Sequence, residues 1–501
     1  MSGVTRRYFC GGLVSAVCQT PLAWCMRKSP NLRVGVLSDV HISKDSEATH
    51  FVNALRHFDG ISVDAVLIAG DLTRWGRPDE FAAVEKAWST VFPKDHRSDG
   101  GLVVKLFVTG NHDVDGFAYP GSGYASAKEA RPHAFYYNRS EMWRRYFGEC
   151  YSPVVIKKVK GYMFVLRNWI SKLGSDEFPG KWAGFEDEVS PLPSMMRSFN
   201  PLENRPFFYV QHEPMADTVN ASWLVGGKRW NNQQDSGESQ TAMRRYLPNC
   251  FALTGHTHLS LTDEQSIWQG DFTAVNCSCI AGWEFTPPGR ENGFSIPDFG
   301  KTPPLEMPAI DFQAVRQGLV MDVYDDAIRL ERRDFLNDCK LGDDWVVPLF
   351  DGRTVPVSNS PKYDFRRRAE VSPPPQFAKG AKVALRRVLD GRRRNADGIR
   401  TEETPCRQVH VEFPDIVTFG GTSPVRSYDY IVRIEGRQTQ ICEKRVFSPD
   451  VLQPERAGSG ACVCAFPDDI VQPGTEVVAH VVPCDCWGNK GNEISSDWSL
   501  L

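Results

Sequence analysis

Five short polar blocks, each directly following an apolar run of strand length, constrain this chain more than any other feature of its sequence. Asp39-Val40-His41 follows residues 33–38 (RVGVLS), and Gly70-Asp71 follows residues 65–69 (AVLIA). Gly110-Asn111-His112-Asp113 follows residues 102–109 (LVVKLFVT). His212 comes after residues 207–210, and Gly255-His256-Thr257-His258 after residues 251–254. Between the first three runs, Phe51, Ala54, Leu55 and Phe58, and then Phe81, Val84, Trp88 and Val91, keep the spacing of one apolar helix face. The order strand, helix, strand, helix, strand predicts an α/β layered fold with parallel neighbours. In such sheets ligands collect at the carboxyl ends of the strands. Five separate segments are therefore expected to bring polar side chains to one sheet edge.

The residue types in these blocks point to a metal cage. Asp39 and His41 stand two apart at a strand end, as do His256 and His258, so each pair can turn to one side. Asp71 adds a carboxylate, and Asn111 a carboxamide. Mixed oxygen and imidazole donors suit Zn, Fe, Mn or Ni, and argue against calcium or a thiolate zinc site.

In this order, DVH, GDL, GNHD, a lone histidine and GHTH resemble the calcineurin-like metallophosphoesterase family, over about residues 33–350. The resemblance implies an α/β fold, a layered metallophosphoesterase-type β-sheet sandwich flanked by helices. It also implies two divalent or mixed-valence transition metal ions. Asp39, His41, Asp71 and His258 would hold one, and Asp71, Asn111, His212 and His256 the other, with Asp71 as the bridge. Two-metal sites hold their ions about 3.5–4 Å apart and bring a shared water near neutral pKa. The implied chemistry is attack of that bridging hydroxide on the phosphorus of a phosphoric ester. His112 would protonate the leaving oxygen, and Asp113 would fix its tautomer. Purple acid phosphatases carry a metal-bound tyrosine soon after the Gly-Asp block. Here Leu72-Thr73-Arg74-Trp75-Gly76 follows with no tyrosine, which speaks against a purple ferric site. Arg74 is either a phosphate contact or a solvated arginine.

At 501 residues the chain is too long for one typical core. We divide it into an export signal at 1–30, the phosphoesterase-like domain at 31–354, a linker at 355–380 and a small all-β sandwich at 381–501. The linker holds Arg366-Arg367-Arg368 and Pro373-Pro374-Pro375. Beyond it, Val409, Val411 and Phe413 alternate, as do Tyr428, Tyr430, Val432 and Ile434. Residues 478–491 (VAHVVPCDCWGNKG) resemble the closing strands of fibronectin type III-like domains. Cys462 and Cys464, like Cys484 and Cys486, sit two apart and share a face. Such pairs suit zinc, disulfides or plain packing.

Thr5-Arg6-Arg7-Tyr8-Phe9 resembles a bacterial twin-arginine signal, and the following stretch is broken by Gln19 and Pro21, too short to span a bilayer. That route carries folded proteins, which suits an enzyme that acquires metal before export to the periplasm or cell surface. The balance of 58 basic against 62 acidic residues gives no footprint for nucleic acid or anionic membrane. The expected partner is a phosphate-ester substrate. Aromatic and basic residues are dense at 114–147 and 213–230, either shaping a binding site or packing their loops. Phosphomonoesterase and phosphodiesterase chemistry use the same cage. The reading from a different class is a catalytically degenerate cell-surface binding protein. Because every ligand candidate lies before residue 260, removal of residues 381–501 is expected to leave hydrolysis of small esters largely intact.

Overall fold

The computed structural model describes residues 29–43, 48–169, 171, 205–220, 222, 224–225, 228–229, 238–281, 305–306, 316–350, 362–397, 400–420, 423–437, 440–448, 461–468 and 471–501. The expected export signal lies outside them, apart from residues 29 and 30, as do Trp223 and Trp230 of the second aromatic stretch.

The apolar runs build two sheets. In the first, β1 (Leu32–Leu37), β2 (Ala65–Ala69) and β3 (Val104–Val108) are parallel neighbours. Helices α1 (Ala48–Gly60) and α2 (Pro78–Val91) provide the crossovers that parallel pairing requires. Strand Gln317–Val323 pairs antiparallel with β1, and Ala327–Asp334 pairs with it in turn. The second sheet runs from β4 (Val154–Val159) through β5 (Tyr162–Arg167) and β6 (Phe207–Val210) to Cys250–Thr254, Thr273–Asn276 and Ile267–Gln269. From β5 to Thr273–Asn276 its neighbours are parallel.

The period of two along each strand sorts side chains between layers. Val34, Val36, Leu67 and Leu106 enter one core with Phe164, Phe208 and Leu253 of the second sheet. Val66, Ile68 and Phe107 face the other way and join Phe51, Phe58, Phe81 and Trp88 of the helices. Beyond the second sheet, Tyr209 and Ala252 pack with Met243 of helix Glu238–Tyr246. The layers therefore run helix, sheet, sheet, helix, as expected. Each large apolar side chain so buried contributes roughly 1.5–3 kcal/mol. The stretch at 114–147 mostly belongs to this scaffold: Phe117, Tyr136 and Trp143 are buried in the helical core.

The C-terminal part is all β. Asp429–Gly436 lies between Gln440–Phe447 and Glu476–Cys484 in one sheet, and Arg400–Pro414 between Ala384–Asp397 and Ala461–Pro467 in another. Tyr430, Val432 and Val481 of the first close on Val409, Val411 and Phe466 of the second. Cys462 and Cys464 fill space in that core. Part of the stretch expected to be a linker is helical, over Phe365–Val371, with the Asp364 carboxylate accepting from the Arg367 N–H at 2.8 Å. Its Phe365 ring packs on Trp487, 5.3 Å between centroids, and its Arg368 pairs with Glu264, so the segment touches both units.

Candidate metal centre

The ligand candidates stand where their strands end, and the backbone turns sharply there. Asp39, His41, Asp71, His256 and His258 all have positive φ, between 47° and 69°. Each such non-glycine residue costs on the order of 1–3 kcal/mol and persists only where its surroundings over-determine it. Glycine would relieve the strain but has no donor atom. Main-chain hydrogen bonds lace the turns together: Val40 and His41 donate to the Asp71 carbonyl at 2.8 and 3.0 Å, and Gly255 donates to the His212 carbonyl at 2.8 Å. The glycines beside the ligands leave room for them. A Cβ on Gly70, itself at φ 97°, would overlap the His212 ring, and one on Gly255 would overlap Ser38 and Asp39.

All seven expected ligands converge. Asp39, His41, Asp71 and His258 form one group whose donor atoms lie within 4.8 Å of one another; Asp71, His212 and His256 form a second. Asn111 joins the second through Oδ1, 3.1 Å from His212 Nε2. Asp71 is common to both.

The arrangement fits cations rather than a self-contained hydrogen-bond network. Asp71 Oδ1 accepts the His112 N–H at 2.8 Å, whereas the buried Oδ2 has no hydrogen bond of acceptable geometry. Facing that oxygen are His212 Nε2 at 3.1 Å and His41 Nε2 at 3.5 Å. Ring nitrogens also face each other, His41 with His258 and His212 with His256, both pairs at 3.2 Å. His212 Nδ1 donates to the Ala69 carbonyl at 2.8 Å, which aims Nε2 into the cage. Asp39 is held by the Ser38 hydroxyl at 2.5 Å and the His256 N–H at 2.9 Å, leaving Oδ1 on His258 at 2.7 Å.

The electrostatics agree. Burial disfavours a charged His212, yet the carboxylates of Asp71 and Asp39 push its pKa up to about 10. Burial likewise works against ionised Asp71 and Asp39, but surrounding histidines hold both below the usual carboxylate range. His41 falls to about 3, through burial and then repulsion from His112. Two buried carboxylates thus demand positive charge between them, and divalent cations on these donors would supply it.

His112 is half-buried beside the cage, its ring 4.5 Å from that of His41 and 5.0 Å from that of Tyr119. Its Nδ1 donates to the Arg74 carbonyl at 2.8 Å, which leaves Nε2 for a reacting group. This corrects the role expected of Asp113, whose carboxylate does not reach the imidazole. It accepts instead from the N–H groups of Leu72, Thr73 and Gly110 and from the Thr73 hydroxyl, at 2.7–3.2 Å. Asp113 therefore braces the turn that carries Asp71. Burial and then the charge of Asp71 raise its pKa to about 7. The Arg74 guanidinium lies over Trp75, 5.6 Å from the ring centre.

Glu213 and Trp169 adjoin the centre without being among the site residues the sequence suggests, and Tyr119 belongs to the aromatic stretch expected either to shape a binding site or to pack its loop. Glu213, buried directly after His212, lies 3.9 Å from His256 Nε2, while that ring's Nδ1 faces His212. Tyr119 accepts from Asn111 Nδ2 at 3.1 Å, fixing the amide so that Oδ1 points at His212, and lines a cavity of about 320 Å³ formed by residues 117–127. Trp169 donates to Asp115 at 2.9 Å and packs near His212 and His256. It follows β5 as the ligand blocks follow their strands, and that placement was the signal available for it.

Residues 32–260 match the family model described as calcineurin-like phosphoesterase. No curated protein matches the chain. Among solved structures, a dimetal phosphatase from Danio rerio is 13% identical, covering 64% of this chain and 100% of its own, with a TM-score of 0.35. GAP50, the anchor in the inner membrane complex of Plasmodium, is 10% identical over 66% of this chain and 93% of its own, with a TM-score of 0.37. A purple acid phosphatase from yellow lupin (Lupinus luteus) seeds is 12% identical over 64% of this chain and 55% of its own, with a TM-score of 0.36.

Proposed function

We propose that the chain is a metal-dependent hydrolase of phosphoric esters, with one ion on Asp39, His41, Asp71 and His258 and a second on Asp71, Asn111, His212 and His256. The observation that carries this reading is the pair of donor groups sharing Asp71, on whose buried Oδ2 the ring nitrogens of His212 and His41 converge. When bound, such a pair supplies Lewis acidity to phosphoryl oxygens and a water of near-neutral pKa. The protein's part is to hold the donors rigidly and to keep the His112 ring beside them, where its Nε2 can pass a proton to the leaving oxygen. Metal-loaded protein is expected to hydrolyse bis(p-nitrophenyl) phosphate or p-nitrophenyl phosphate. A chelator should abolish turnover, and Mn²⁺ or Zn²⁺ should restore it. Metal-replete, folded protein inert towards both esters would favour a degenerate binding protein instead.

We also propose export by the twin-arginine route, on the strength of Arg6-Arg7, and liken the C-terminal sandwich to fibronectin type III-like domains. Replacing Arg6 and Arg7 by Lys keeps the charge and changes the signal. Periplasmic delivery in a bacterial host should fall sharply; unchanged delivery would contradict the route.

A further inference from the structure

The loop that leaves ligand His258 runs straight into the C-terminal part of the chain and the helix Phe365–Val371 before it, which together grip three consecutive residues of it. The Tyr428 hydroxyl donates to Asp263 Oδ2 at 3.2 Å, Arg368 pairs with Glu264, and Gln265 Nε2 donates to the Cys486 carbonyl. From Asp263 a chain of side chains leads back to the metal centre. Asn220 Nδ2 donates to the same Asp263 oxygen at 3.2 Å. Asn276 Nδ2 donates to Asn220 Oδ1 at 3.0 Å and also to the Thr257 hydroxyl at 2.6 Å. Thr257 stands between His256 and His258. Asp263, Asn220 and Asn276 are fully buried, Thr257 is 1% exposed and Tyr428 4%.

Buried polar groups of this kind orient one another, because none has water as an alternative partner. The end of the chain that they hold is the one most in need of support, since His256 and His258 both carry left-handed backbone. Asn276 also accepts the Ser278 N–H at 2.9 Å, so a single amide ties the ligand turn to two neighbouring loops.

We propose that the C-terminal sandwich is a structural part of the metal centre, and that Tyr428 is a positioning residue for His256 and His258, acting through Asp263, Asn220, Asn276 and Thr257. This rests on the metal-hydrolase reading above. It reverses the expectation that residues 381–501 are dispensable, because each ion has one of the two histidines among its ligands.

The test uses the full-length protein. Tyr428→Phe removes only the hydroxyl. Asn489→Ala cuts different contacts in the same join, with the Ala369 and Ser372 carbonyls at 2.9 and 3.4 Å and with Asp485 at 3.0 Å. Each is compared with wild type by titration with Co²⁺, read from its visible spectrum, together with kcat, KM and thermal unfolding. Loss of an outer partner of a metal ligand typically weakens affinity about 10–100-fold. Tyr428→Phe should weaken at least one Co²⁺ site by about 10-fold, alter the spectrum and lower kcat more than KM changes. Asn489→Ala should leave the Co²⁺ sites as in wild type. Wild-type affinity and spectrum in folded Tyr428→Phe would overturn the proposal, and so would an equal loss in Asn489→Ala, which would mean a general loosening of the join. If Tyr428→Phe does not fold, Asn220→Ala breaks the same chain by removing the amide between Asp263 and Asn276 and is judged by the same criteria. Wild-type protein that takes up no transition metal would instead overturn the underlying metal-hydrolase reading, and this proposal with it.

Discussion

Asp71→Ala is expected to bind fewer than two ions per chain and to lose ester hydrolysis by roughly 10³-fold or more, since deleting a single charge-stabilising donor typically costs about 10²–10³-fold. Asp71 belongs to both donor groups, so its removal acts on both ions at once. The local charge changes too, because Asp71 is one of the two carboxylates that raise His212 to about 10. Without it the cage keeps one buried carboxylate fewer and should attract cations less. Asp71→Asn is the companion variant, because asparagine tolerates the left-handed backbone at φ 52° where alanine is strained. A metal loss shared by both variants therefore reports the missing carboxylate rather than a misfolded turn. Elemental analysis of folded protein checks this, and two ions per chain in Asp71→Ala would remove Asp71 from the bridge.

His112→Asn should keep both ions and still lower turnover, since general acid catalysis typically contributes about 10²–10⁴-fold. The imidazole is not among the converging donors, and the hydrogen bond that orients Asp71 comes from the His112 main chain, which the substitution retains. The loss should be small for nitrophenyl esters, whose leaving group needs little protonation, and large for alkyl esters. Equal losses on both would assign His112 to charge stabilisation. No loss on either would take it out of the mechanism.

The sequence displays the metal cage because each ligand is adjacent in the chain to the strand that carries it. An apolar run followed by Asp, His or Asn is a local pattern, and parallel pairing then brings the strand ends together. Local pattern also explains the layers, since alternating side chains in β2 and β3 separate cleanly between the two cores. What depends on the path of a turn is not visible in this way. Asp113 lies next to His112 in the chain, yet the one-turn helix Asn111–Val114 points its carboxylate back to Leu72 and Thr73, and the Arg74 carbonyl orients His112 instead. Contacts between distant segments are less visible still. Arg366-Arg367-Arg368 reads as a charge run in a linker, but Arg368 reaches Glu264, 104 residues away. Tyr428 reads as one more alternating strand residue, although its hydroxyl meets Asp263 across 165 residues. No spacing rule connects such pairs; only the folded chain does.

The most direct measurement is a metal titration of stripped, full-length protein. Mn²⁺ or Zn²⁺ is added stepwise, ions per chain are counted by elemental analysis, and bis(p-nitrophenyl) phosphate hydrolysis is followed in the same samples. Two buried donor groups that share Asp71 predict that hydrolysis emerges only as occupancy approaches two ions per chain. Full activity with no ion, or saturation at one, would contradict the account.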